Sequence, residues 1–203
     1  MTRRRFARFL REEEGGVISV ESMLMLPLLF WVFLATLVFF QAFRAQSTNI
    51  KAAFTVGDII SRDDKPITPA YLDSMFTLQN LMNGRGEQVR LRVTAIRFFE
   101  GSVKNERLDA DDEYRVVWSQ VRGGGTRHTN ATLLPLRGVR LPTLADQQVT
   151  IMTETWTGHS PAFGIGLPAF VFEELVTTHP RNRKTCWNDS NNPADHTTAR
   201  NVC

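Results

Sequence analysis

The chain has 203 residues, 42% of them apolar, and a formal net charge of +3, which suits one ordinary domain plus an appendage. Met1–Gly16 holds five Arg against three Glu, so Val17–Cys203 carries a net charge of only +1. A body so evenly balanced lacks the concentrated cationic face that neutralises phosphates, and nucleic acid is excluded as the expected partner.

Ser22 to Phe40 reads SMLMLPLLFWVFLATLVFF, nineteen residues without a formal charge. As a helix this run is about 28 Å long, close to the hydrocarbon thickness of a bilayer. Arg3, Arg4, Arg5, Arg8 and Arg11 precede it, whereas the isolated Arg44 and the polar Gln46, Ser47, Thr48 and Asn49 follow. This bias predicts a single-pass protein of a bacterial inner membrane, with its N-terminus cytoplasmic and its C-terminal domain extracytoplasmic or periplasmic. A cleavable secretory signal, with Arg3-Arg4-Arg5 as a twin-arginine-like start, is the competing reading. It fits less well, because Glu12, Glu13 and Glu14 interrupt the approach and the apolar run is of spanning length.

Gly15 and Gly16 separate the charged leader from the apolar run, and Glu21 sits just inside it. A carboxylate there is expensive to desolvate, so it either pairs, marks a function, or lies wet among the headgroups. Pro27 lacks an N–H and leaves the carbonyl of Met23 without its usual partner, which predicts a kink or local unwinding, although spanning helices tolerate proline.

Gly16-Val17-Ile18-Ser19-Val20-Glu21 places the Glu five residues after the second glycine, behind a basic leader and ahead of a long apolar helix. This resembles the processing signature of type IV pilins and pseudopilins. The continuation Val20-Glu21-Ser22-Met23-Leu24-Met25-Leu26-Pro27-Leu28-Leu29 resembles more narrowly the TadE/TadF-like minor pilins of tight-adherence (Flp) pilus systems. Ser22 stands where that family commonly has an aromatic residue. The resemblance is concentrated in residues 3 to 43. It implies cleavage between Gly16 and Val17 by a prepilin peptidase, an assembly role for Glu21, and as partners the lipid bilayer, other pilins and inner-membrane pilus assembly proteins. Glycine at the cut lets the chain leave helical geometry, and the new ammonium of Val17 and the carboxylate of Glu21 would satisfy each other, within or between subunits.

Beyond the membrane, apolar positions at Phe43, Ile50, Phe54, Ile59 and Ile60 predict that the helix runs on, with Arg62-Asp63-Asp64-Lys65-Pro66 as a charged turn. Thr68-Pro69 has the form of a helix start, Tyr71, Leu72, Met75, Leu78 and Leu81 follow at helical spacing, and Asn83-Gly84 closes the element. The period then becomes two. Val89, Leu91 and Val93 share a face opposite Arg90 and Arg92, and Tyr114 to Val121 and Gln148 to Trp156 repeat the pattern. Three antiparallel strands are expected, or four if Thr132 to Leu136 contributes.

The expected fold class is therefore α+β, pilin-like, with helices on one face of a small sheet. Its parts are a leader at 1–16, a transmembrane helix at 17–43, an extracytoplasmic domain at 44–176 and a polar tail at 177–203. The tail is expected as a loop or weakly ordered extension, held by a Cys186–Cys203 disulfide if it lies in an oxidising compartment; two unpaired thiols are the alternative.

No metal, cofactor or catalytic constellation is expected. His128, His159, His179 and His196 are scattered and read as surface or turn residues. Gly123-Gly124-Gly125 reads as a flexible hairpin connection, and Asp109 to Glu113 as a solvated turn without the spacing of a calcium loop. The expected role is structural, a minor pilin-like (pseudopilin) subunit of a Tad/Flp-type pilus assembly or secretion system. The alternative is an uncleaved single-pass protein whose outer domain binds a ligand or scaffolds an envelope complex.

Overall fold

The computed structural model describes residues 13–84, 88–103, 105, 107–161, 163–181 and 185–188, with side chains from Val20 onward. Two compact units emerge, one of Met1–Phe43 with Pro161–Pro168 and one of Arg44–Ser160 with Ala169–Cys203.

Helix α1, Glu13–Arg62, is a single element of 50 residues, so the expected continuation past the apolar run is observed. Within the first unit its surface from Val20 to Phe33 is exposed, and apart from Glu21, Ser22 and Pro27 the exposed side chains are Val, Met, Leu, Phe and Trp. A sleeve of that composition is stable where lipid replaces water.

In the second unit the remainder of α1 and helix α2, Pro69–Asn83, cover one face of a four-stranded antiparallel sheet. The strands are β1 Val89–Phe99, β2 Glu113–Arg122, β3 Val149–His159 and β4 Phe170–Thr178, in the order β2-β1-β3-β4. Helix α2 begins as its sequence predicts. The Thr68 hydroxyl accepts the Tyr71 N–H at 3.2 Å, Pro69 occupies the first turn, and Gly84 ends the helix at φ 92°.

The fourth strand is Phe170–Thr178, not Thr132 to Leu136, which forms the end of a short helix α3, Asn130–Leu133, and a 3-10 turn, Leu134–Leu136. The glycine triplet is not a hairpin connection either. β2 pairs with β1 alone, and the chain after Gly125 crosses to β3 through α3. Gly123, Gly124 and Gly125 all have positive φ, and a side chain on Gly123 would strike the carbonyl of Val89.

Both faces of the sheet are buried. Leu91, Val93, Ala95, Trp118 and Ile151 meet Val56 and Ile60 of α1 and Leu72 of α2. Ile96, Phe98, Tyr114 and Met152 meet Leu133, Leu141 and Leu144 on the other side. Pairing passes from Ala95↔Trp118 to Ile96↔Val116, leaving Val117 as an extra residue in β2, a bulge of the kind that increases local twist.

The α1 side that faces the sheet is built for close approach. Asn49, Ala52, Ala53, Val56 and Ile60 are fully buried or nearly so, and Gly57 adds no side chain. Opposite them β3 offers Thr153, Thr155 and Thr157, all buried. Thr157 donates to the Asn49 side chain at 2.8 Å, and the Thr178 hydroxyl donates to the Gly57 carbonyl at 3.3 Å.

Where the tail is described, Thr185–Asn188 is not a loose extension. Ile67 and Trp187 form a parallel bridge, Ile67 N–H donates to the Cys186 carbonyl at 2.8 Å, and Asn188 N–H donates to Ile67 at 2.9 Å. Trp118 donates its indole N–H to the Thr185 carbonyl at 2.8 Å and packs on Trp187 with ring centroids 5.8 Å apart. Thr185–Asn188 is thus core, because a buried indole supplies both apolar area and a donor that fixes the backbone. Trp187→Ala is expected to cost about 3–5 kcal/mol, as truncations of buried aromatics do. Urea unfolding in detergent, followed by circular dichroism, measures this; a change near zero would restore the loose tail.

Candidate functional site

Gly16 and Val17 lie within α1, whose helical backbone passes through them from Glu13. Glu21 is exposed and makes no hydrogen bond or ion pair among the described residues. It is therefore open to a partner outside this chain. Pro27 is also inside α1, which is helical on both sides of it.

Cys203 and His196 lie outside the described residues. Cys186 is buried beside Trp187, and its carbonyl fixes Ile67. Its pairing with Cys203 stays an expectation.

The most concentrated polar chemistry in the second unit is on the sheet face opposite the helices. Arg92 of β1 and Glu154 of β3 are register partners, and the guanidinium forks onto the carboxylate at 2.5 Å (Nε to Oε2) and 2.6 Å (Nη2 to Oε1). His128 brings Nε2 to 2.9 Å from Oε2 of the same carboxylate. A carboxylate only accepts, so this nitrogen carries a proton. The other ring nitrogen lies 2.8 Å from the Thr132 hydroxyl, the His128 N–H donates to Ser119 at 2.9 Å, and Ser119 is 2.9 Å from Thr94. Arg92 also donates to the Thr126 carbonyl at 3.1 Å and stacks 4.9 Å from the centroid of Trp156.

Burial pushes the Glu154 carboxyl up, but hydrogen bonds from His128 and Arg92, together with the Arg92 charge, outweigh it and hold the group below the usual carboxylate range. Both carboxylate oxygens and both imidazole nitrogens are engaged. The arrangement fastens the loop between β2 and α3 to the sheet, a use for which a desolvated, fully bonded ion pair is suited.

Several expectations are corrected here. His128 and His159 are buried, not surface residues; the His159 ring packs against Phe170 and Phe172, with centroids 5.6 and 6.1 Å away. His179 is exposed as expected. Arg92, on the strand side opposite Leu91 and Val93 as expected, is largely buried there, because the chain before α3 brings Thr126 and His128 over it. The pair was legible in part, since Glu154 is a lone charge inside an otherwise apolar and threonine-rich strand and so marks a buried partner.

The acidic run is more than a solvated turn. Asp112 is buried, and its carboxylate accepts the N–H groups of Gly101 at 2.8 Å and Asp109 at 2.6 Å, while Asp111 accepts the Ser102 N–H at 2.7 Å. Hydrogen bonds from the Ser102 side chain and backbone hold the Asp111 carboxyl below its ordinary range. These oxygens organise the β1–β2 loop, and no metal-binding cluster occurs among the described residues.

No family model, curated protein or solved structure matches the chain. The functional assignment rests on its own residues.

Glu154→Gln keeps the volume and removes the charge facing Arg92 and His128, and it is expected to lose on the order of 3–5 kcal/mol. Because the folded carboxyl is depressed, its stabilisation is complete above the unfolded value of about 4.3 and is lost as pH falls through the folded value. Denaturation midpoints measured across acid pH should fall for the parent and stay flatter for the variant. Equal midpoints and parallel acid limbs would remove the fastening role.

Proposed function

We propose that this chain is a minor pilin-like subunit of a Tad/Flp-type pilus assembly or secretion system, held in a bacterial inner membrane by α1 with its second unit outside the cytoplasm. The observation that carries the reading is the placement of Gly16 and Glu21, five residues apart, at the head of a 50-residue helix. The first part of that helix has a lipid-suited surface, and its last part packs on an antiparallel sheet. One continuous helix shared between bilayer and domain lets a subunit leave the membrane without unfolding the domain that holds it. A prepilin peptidase acting after Gly16 would remove the arginine-rich leader, which otherwise anchors the N-terminus on the cytoplasmic side. Glu21, exposed and unpaired among the described residues, would then meet the freed ammonium of Val17 in the same or a neighbouring subunit.

The size of the second unit favours a minor subunit over a major pilin of the Flp type, which in that family is little more than a helix. Cys186–Cys203 closure belongs to the same reading, since it requires the oxidising side of the membrane.

Intact mass of the protein purified from membranes of a host with the matching peptidase tests both parts. The parent is expected to begin at Val17 and to lack two hydrogens for the disulfide, whereas Gly16→Ala retains the leader. A full-length parent chain would leave instead an uncleaved membrane-anchored domain that binds a ligand or scaffolds an envelope complex.

A further inference from the structure

Helix α1 is not bare along the whole of its apolar run. Leu34 and Ala35 are half-buried, Val38 is 1% exposed and Ala42 8%, while Phe40 between them is 66% exposed. These positions lie on successive turns of one helix face, so a stripe of α1 is covered by protein from Leu34 onward. Leu34 precedes the end of the run at Phe40 by six residues, about 9 Å of helix. If α1 spans a bilayer, the covering segment reaches below the level at which water ends.

The segment grouped with Met1–Phe43 in one compact unit is Pro161–Pro168, part of the β3–β4 connection. Its composition differs from that of the β1–β2 loop, which is dense in Asp and Glu. From Ser160 to Phe172 not one charged residue occurs. Phe163 is 51% exposed, and Ile165 and Leu167 are only half-buried. Pro161 and Pro168 have no N–H, and the Ile165 N–H donates to the Phe163 carbonyl at 2.9 Å.

We propose that Pro161–Pro168 is a second membrane-contacting element, an apolar loop seated at the headgroup–acyl boundary beside the last turns of the spanning helix. The inference rests on the single-pass reading of α1. Irregular backbone is not tolerated in the hydrocarbon itself, so the loop stays at the boundary, where headgroups and water satisfy its remaining polar groups. Lipid is the occupant rather than a second chain because the exposed large side chains here, Phe39, Phe40 and Phe43 of α1 and Phe163 of the loop, are aromatic and uncharged, like the apolar side of interfacial segments. The loop then fixes the depth and rotation of α1, since a helix alone is free to turn about its axis.

The test places benzoylphenylalanine at Phe163, at Trp31 within the span, or at the exposed Val139 of the second unit. Each full-length protein is reconstituted in vesicles of phosphatidylethanolamine and phosphatidylglycerol, irradiated, and analysed for lipid adducts by mass. Adducts at Trp31 and Phe163, several-fold above Val139, are the expected result. Adducts at Trp31 but none at Phe163 beyond the Val139 level overturn the loop's role and leave the spanning helix standing. Crosslinking of Phe163 to a second copy of the chain also overturns it, assigning the loop to a protein contact. Failure at Trp31 as well would remove the membrane reading itself.

Discussion

The packing of Asn49, Ala52, Ala53, Val56, Gly57 and Ile60 against the threonine-lined face of β3 is the constraint on which the rest depends. It joins the last part of α1 to the sheet. Small residues let the two backbones come close, and a β-branched residue at Gly57 would crowd Thr178 and Thr153. Asn49 buried in this seam is costly unless bonded, and Thr157 and the Phe172 carbonyl bond it. A polar pair within an apolar contact penalises a slipped helix, because any shift along the axis leaves both groups buried and unmatched.

The sheet carries cover on both faces, and the two covers are held by different means. On the helix side the hold is apolar, completed by the Thr185–Asn188 segment, where Trp187 lies on Trp118 and Ile67 pairs with the chain. On the other side one end is apolar around Phe98, Tyr114 and Leu133. The other end is ionic, with Arg92, Glu154 and His128 pinning the loop that follows the three glycines. That loop has positive φ at three consecutive residues and few apolar side chains, so directional bonds replace area as the source of order.

The proposed function rests on the other end of the chain. The residues on which the proposed role rests, Gly16, Val17 and Glu21, lie in α1 and not in the sheet, and the sheet's polar cluster has its donors and acceptors bonded internally. In the proposed reading the second unit is what the helix presents to neighbouring subunits.

The sequence by itself determined the elements whose signal is local. The nineteen uncharged residues announce a lipid-length helix, Thr68-Pro69 and Gly84 cap α2, and period-two alternation marks β1, β2 and β3, since each signal lies within a few residues of its own structure. Only the tertiary structure decided the rest. Phe170–Thr178 became a strand because the edge of β3 was free to pair with it, although its apolar start and acidic middle blur the alternation. Thr185–Asn188 became core because Trp118, some seventy residues earlier, needed a partner for its N–H. Arg92, His128 and Glu154 became one buried cluster because a crossover brought a distant loop over the sheet, turning an outward-facing arginine inward. Burial is a property of what lies opposite, and no window along the chain contains that.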